Sequence, residues 1–439
     1  MSVLIAILSA AVVLGVVILV HEAGHFFAAK LFHVRVVVFS FGYGPRLFGV
    51  QKGDTDYRLS ALPLGGYVRL AGDNPAETRT GAPDEFLTRP RWQRVLIYLA
   101  GPIMNIVLAA VLFILIFTIH GIPNPSYLAQ PVKIAAVPAH SAAETSGIRP
   151  GDQIVELAGT PTPTWEKAVE YLTKAQSGTQ APVWVTRDGQ RVQLQITVNP
   201  TDPDHSVGYP EIAPVIGQVI MGMPAYRAGV ETGDRVVSVD GKAVPTWPAL
   251  VDVIRGSEGK PLNIVLLRSG KELPIAVQPT YGKNENGDSV WQIGAGVNYP
   301  LTYQRVGLET AAVKGLDLTG NGVAEVMGVL EQLITGKVSV KQLQSVVGIA
   351  HESGQAAKRG LIDFIEWTAL ISINLGILNL LPIPILDGGN ILMLVIEGGL
   401  RRDMSLVVKE RFVQVGLVFL LVIFAIVMYN DVARTIPHH

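Results

Sequence analysis

His21-Glu22-Ala23-Gly24-His25 stands at the inner end of an apolar run, Val3 through Val20, in which Ser9 is the only hydroxyl and no residue is charged. The run has the length of a bilayer-spanning helix. On a helix, residues four apart differ by about 40° in azimuth and about 6 Å in rise. His21 and His25 therefore share one face and can chelate a single ion. Glu22, beside them, is placed to handle the proton of a hydrolytic water. Set inside a membrane helix, this arrangement points to peptide hydrolysis within or at the edge of the bilayer. An ionisable residue near the middle of such a helix costs on the order of 3 kcal/mol. Three cluster here within five positions, which argues against coincidence. A secretory signal peptide fits poorly, because no Lys or Arg precedes the run and the run exceeds an ordinary signal core.

The 439 residues are 49% hydrophobic, with a mean hydropathy of +0.36, too apolar for an ordinary soluble protein and too mixed to be all membrane. A net charge of −1 leaves no footprint for nucleic acid. With no Cys, disulfides, thiolate zinc sites and Cys nucleophiles are excluded, so any metal must be held by His and carboxylate. Four apolar segments stand out: residues 3–29, Val95 to Ile119, a third from Leu361 through Leu381 that breaks at Pro382 and Pro384, and Phe412 to Tyr429. The loop after the first carries Lys30, Arg35, Arg46, Lys52, Arg58, Arg69, Arg79, Arg89, Arg91 and Arg94, and the loop between the third and fourth is also basic. Both should face the cytoplasm, which puts the long 120–360 stretch on the opposite side and the HExxH motif near the cytoplasmic face.

Two His leave a zinc site one protein ligand short. The donor available in another span is Asp387, in Asn379-Leu380-Leu381-Pro382-Ile383-Pro384-Ile385-Leu386-Asp387-Gly388-Gly389. The prolines remove backbone donors and unwind the chain at membrane depth, which is tolerated only where protein or water satisfies the freed groups. The alternative is a loop between half-helices, with Asp387 capping the second. Asn379 faces the same region and could bind substrate backbone or a developing oxyanion, or else make a polar contact between helices. Asn105, in Gly101-Pro102-Ile103-Met104-Asn105, reads equally as packing. Asp363 and Glu366 fall at the outer end of the third span.

Val34-Arg35-Val36-Val37-Val38-Phe39 and Tyr57 through Val68, which includes Gly65 and Gly66, have the composition of strands and hairpin turns. Farther on, the chain repeats itself. Gly147-Ile148-Arg149-Pro150-Gly151-Asp152 is answered 82 residues later by Gly229-Val230-Glu231-Thr232-Gly233-Asp234, and Thr164-Trp165 by Thr246-Trp247. A period this long means two tandem globular domains, not a solenoid. The hydrophobic-Gly-hydrophobic-x-x-Gly-Asp pattern resembles PDZ domains, with Ile134 to Val137 and Ile216 to Ile220 expected to border ligand grooves. Residues 301–360, Val338 to Lys358 for example, read as surface helices. His438 and His439 have the look of a tag remnant.

Taken together, HExxH in the first span, Asn-x-x-Pro-x-Pro-x-Leu-Asp-Gly in the third and the paired modules resemble the site-2 protease family of intramembrane zinc metalloproteases, in its bacterial branch with tandem PDZ domains, the regulator of sigma-E protease type. The resemblance covers nearly the whole chain. It implies zinc (Zn2+) held by His21, His25 and Asp387, with Glu22 as general base. It makes the β-region a receiver of unwound substrate, with Gly65 and Gly66 on the substrate path. Substrates would be transmembrane proteins of anti-sigma factor type and remnant signal peptides, and the setting a bacterial inner membrane with membrane lipid around the spans and the PDZ pair in the periplasm. One departure is Asn390, where family members commonly carry His.

The expected fold is thus a polytopic α-helical membrane protein with four transmembrane helices, a membrane-associated β-region and two α+β PDZ domains. Its parts run from a first span over 1–31 and a cytoplasmic β-region over 32–92 to a second span over 93–120. PDZ domains over 128–212 and 213–299 follow, then periplasmic surface helices over 300–360 and spans over 361–396 and 411–431. One rival is a CAAX-type membrane zincin, which would lack the PDZ pair. The other is a metal-binding PDZ scaffold without peptidase activity.

Overall fold

The computed structural model describes residues 3–73, 81–138, 140–220, 222–283, 289–298, 300–335 and 346–435. Arg79, residues 338–345 of the expected surface helix, and His438 and His439 lie outside them. The chain divides into two units, Met1–Ile122 with Arg305–His439, and Pro123–Gln304.

The first unit is helical around one hairpin. Among the described residues, three helices are long and apolar enough to cross a membrane: Val3–Leu31, Arg91–Ile119 and Leu361–Asn379. The fourth apolar run is also helical, inside Leu406–Thr435, although several of its side chains lie outside the described set. These helices are aliphatic all round, so Leu4, Ile7, Val12, Ile103 and Val111 remain exposed, as a lipid-facing surface requires. Small residues let the helices approach closely. A Cβ built on Gly24 would stand 2.8 Å from the Ala100 carbonyl carbon, and one on Gly376 3.0 Å from the Pro102 carbonyl oxygen.

The third apolar segment breaks where its prolines predict. The 361–379 helix ends at Asn379, residues 380–386 are irregular, and a new helix runs Asp387–Leu400. Ile385, in that break, takes a φ of 87°, a left-handed conformation that costs a β-branched residue on the order of 1–3 kcal/mol.

The helices expected to lie on the surface set one face each against the helices of this unit. Ala311 of the Leu308–Ile334 helix is buried with Ala109, Phe113 and Ile373. The Val346–Arg359 helix sets Ile349 against Val13, Val17 and Ile371, and its Ser353 Oγ accepts a 2.9 Å hydrogen bond from Trp367 Nε1. Their apolar faces meet helices of this unit, so packing decides their place.

The β-region is a hairpin of two long, bent strands, Val36–Lys52 and Thr55–Leu70. Residues 38–41 pair on one side with 66–69 and on the other with 56–59, while 48–52 pair with 55–59. The hairpin therefore folds on itself into a small sheet, with 66–70 at one edge.

In the second unit the repeat is structural. Sheet strands Gln153–Leu157, Gln180–Arg187 and Gln190–Thr197 recur as Arg235–Val239, Leu262–Arg268 and Lys271–Val277, and helix Trp165–Lys174 recurs as Trp247–Arg255. The repeated Gly-Asp has a physical purpose. The Asp152 carboxylate accepts two 2.7 Å bonds from Arg187, whose Nη2 also donates to the Gly147 carbonyl, and Asp234 with Arg268 and Gly229 does the same. Burial alone would raise the Asp152 and Asp234 carboxyls, but the arginine and backbone donors bring both below the usual range. The strands expected to border ligand grooves each have a backbone partner within the unit. Ala135 and Ala136 bond Tyr209, and Ile216–Val219 pairs with Ala295–Val297.

Candidate metal centre

The helix period turns His21 and His25 to one side of the 3–31 helix, and their rings meet edge to face with centroids 4.7 Å apart. Their Nε2 atoms are 3.1 Å apart. Asp387, the first residue of the 387–400 helix, brings Oδ2 to 3.0 Å from His21 Nε2 and 3.4 Å from His25 Nε2. Leu386 holds the N-cap position without a side-chain bond, so the Asp387 carboxylate is turned to the histidines rather than used as a cap. Donor atoms around a tetrahedral zinc with bonds of about 2.1 Å stand about 3.4 Å apart. Among the described residues, these three form the one group of His, Asp or Glu whose ligand atoms converge in this way. The donor set fits zinc.

The 91–119 helix supports the pair. His25 Nδ1 stands 2.7 Å from the Ile97 carbonyl, which fixes the ring proton there and leaves Nε2 for a metal. Gly101 leaves room for both rings, since a Cβ there would lie 2.8 Å from His21 Cε1.

Glu22 points elsewhere. Its Oε2 accepts a 3.0 Å bond from the Val68 amide, on the edge strand of the β-region. It is beside the metal group and not part of it. A Cβ on Gly66 would fall 2.6 Å from the Ser40 carbonyl and 3.6 Å from Glu22 Cγ, and Gly65 has a φ of 118° with Tyr43 against it. Strand contact and backbone conformation thus account for both glycines, which flank the Glu22 edge.

Asn379, at the end of its helix, places Nδ2 3.4 Å from His21 Nε2. Asn390, in the position where the resemblance expects His, lines a cavity of about 390 Å³ with Tyr98, Arg94 and Lys409, and is outside the metal group. One neighbour of the site was not assigned from sequence: Asn105, fully buried, has Nδ2 3.3 Å from His21 Nδ1. Its sole signal was a polar residue four positions after Gly101, on the face that meets the histidines.

The family model described as Peptidase family M50 matches residues 9–423. Regulator of sigma-E protease RseP of Escherichia coli (strain K12) is 32% identical over 447 residues, covering 96% of this chain and 97% of that protein. Protease RseP of Yersinia pestis is 31% identical over 458 residues, covering 99% and 100%. A putative zinc metalloprotease of Vibrio cholerae is 30% identical over 448 residues, covering 96% and 97%.

Proposed function

The chain belongs to peptidase family M50 and is a zinc metalloprotease, and from that premise we propose that it is an intramembrane endopeptidase that cuts the membrane-spanning segments of single-span proteins. The observation that carries this reading is the convergence of His21 and His25, on an apolar helix long enough to cross a membrane, with Asp387, the first residue of the helix after the break in another apolar segment, and with Glu22 one residue away.

In this reading His21 and His25 hold zinc through Nε2 and Asp387 through Oδ2. Zinc, when bound, supplies Lewis acidity toward the scissile carbonyl and the water. Glu22 takes a proton as the water oxygen bonds the carbonyl carbon, then returns it to the nitrogen as the C–N bond breaks. The Asn379 amide donates to the carbonyl oxygen as it gains charge. A scissile bond inside a helix is hidden by its own hydrogen bonds, so the substrate must be held extended. Edge strand 66–70, joined to Glu22 through Val68, supports strand addition as the means. The exposed Leu47, Phe48 and Val50 of the hairpin suit contact with lipid or with an incoming apolar segment.

The basic loops favour a bacterial inner-membrane protein with its catalytic end near the cytoplasm and the two repeats, read as PDZ domains, in the periplasm. Relatives named regulator of sigma-E protease suggest anti-sigma factor substrates, with remnant signal peptides beside them. The repeats then serve as a size filter on external domains.

The test uses full-length protein in detergent and a model transmembrane segment. One bound zinc per chain, cleavage lost with chelator and restored by zinc, and a Glu22→Gln variant that keeps zinc without cleaving are expected. Normal turnover by Glu22→Gln would reject Glu22 as the base. Zinc binding with no cleavage of any membrane segment would favour the scaffold.

A further inference from the structure

A histidine binds zinc through Nε2 only when its ring proton sits on Nδ1, and that proton needs an acceptor. For His25 the acceptor is the Ile97 carbonyl, 2.7 Å away. For His21 the neighbour of Nδ1 is the Asn105 side chain, reached from a residue 84 positions along the chain. Asn105 has no exposed surface, and its Oδ1 is buried without a hydrogen-bond partner. Its backbone is clamped. The Asn105 carbonyl accepts a 2.8 Å bond from Ser372 Oγ, and Gly376 of the same helix leaves just enough room for the Asn105 Cβ.

The carboxamide here turns its nitrogen toward Nδ1, at 3.3 Å. A carboxamide nitrogen donates and cannot accept, so this setting suits a ring whose proton is on Nε2, the atom that faces Asp387. Rotating the amide by 180° exchanges its two ends in the same space. One end is unpartnered in either setting, so the proton on His21 decides which end faces the ring.

We propose that Asn105 is a positioning residue for His21: with its carboxamide oxygen turned to Nδ1, it accepts the ring proton there and holds in place the tautomer whose Nε2 binds zinc. This assignment rests on the reading of His21 as a zinc ligand. It explains why a polar side chain with an orphaned atom occupies a site where leucine would pack without one. The unpartnered end is what allows the amide to turn when zinc arrives.

Asn105→Leu, Asn105→Ala, Asn105→Asp and His21→Ala, all in full-length protein in detergent, separate this role from packing. The measurements are the zinc dissociation constant by chelator competition, the visible spectrum of the cobalt-substituted protein, and the melting temperature of the zinc-free protein. Leu and Ala both remove the acceptor, so each should weaken zinc binding by roughly 10–100-fold and alter the cobalt spectrum. Ala stands in if Leu does not fold. Asp keeps an acceptor oxygen and should bind zinc within about threefold of the wild type with the same spectrum. A packing role gives the opposite order, because Leu is then tolerated and a buried carboxylate is not. Wild-type affinity in Leu or Ala, or an Asp variant as weak as they are, would overturn the assignment. If His21→Ala still binds zinc at full strength, the ligand reading fails and takes this role with it. If His21→Ala loses zinc while Leu and Ala keep it, only the role of Asn105 fails.

Discussion

Gly101→Ala is the smallest change that should disable the site without touching a proposed ligand. A Cβ at this position would stand 2.8 Å from His21 Cε1 and press still closer on the His25 ring. Carbon atoms in ordinary contact are about 3.5–4.0 Å apart, so the rings must retreat by about 1 Å. His25 cannot yield freely, since Nδ1 is held by Ile97 at 2.7 Å. Metal–ligand distances tolerate only about 0.2 Å. A misplacement of 1 Å costs on the order of 10²-fold in rate, about 2.7 kcal/mol, and zinc affinity should fall by at least roughly tenfold. Chelator competition reads the affinity, and cleavage of a model transmembrane segment reads the rate. Gly398→Ala is the control, because a Cβ there meets nothing within 4 Å; it should change neither value. If Gly101→Ala folds, binds zinc as tightly as the wild type and cleaves at the wild-type rate, the packing argument and the role of the histidine pair are both refuted.

Asp387→Ala should lose cleavage and weaken zinc binding, since two histidines alone hold the metal poorly; full zinc occupancy at sub-micromolar metal would exclude Asp387 as the third ligand. Arg187→Ala strands the buried Asp152 carboxylate, at a cost of about 3 kcal/mol, visible as faster hydrogen exchange around Gly147–Asp152, and unchanged exchange would show the pair to be dispensable. The repeats should also respond to pH in two directions. Burial raises Asp204 to about 6, so protonating it on going from pH 7.5 toward 5 should stabilise that unit, and Asp252, also raised by burial, acts in the same direction. Asp152 and Asp234 are depressed, so their contribution is full above their unfolded pKa and is lost as pH falls below about 4; exchange rates that vary in one direction only across this range would contradict the assignment. Replacing residues 123–304 by a flexible linker should keep cleavage of trimmed substrates and release cleavage of untrimmed ones, whereas uniform loss of activity would point to recruitment in place of filtering.

Local periodicity made much of this protein legible. Two histidines four apart must share a helix face, two prolines near Asp387 must break a helix, and an 82-residue repeat must be two modules. Each follows from backbone geometry within a few residues, or from direct internal similarity. What the chain alone left open depends on which faces meet. Whether Asp387 caps a helix or faces histidines is settled by where the 387–400 helix packs, and its Oδ2 lies 3.0 Å from His21. Helices that read as surface elements also set single faces against other helices, where Ala311 and Ile349 find apolar partners. Asn105 was indistinguishable from a packing residue until the close approach permitted by Gly24, Gly101 and Gly376 brought it beside His21. Glu22 likewise acquires its bond to Val68 only when a bent hairpin turns the edge of residues 66–70 toward the helix. The pairing of His21 with His25 was written in short-range spacing; Asp387 and the residues around the pair, separated from it by tens to hundreds of residues, are brought there by helix packing that no local pattern encodes.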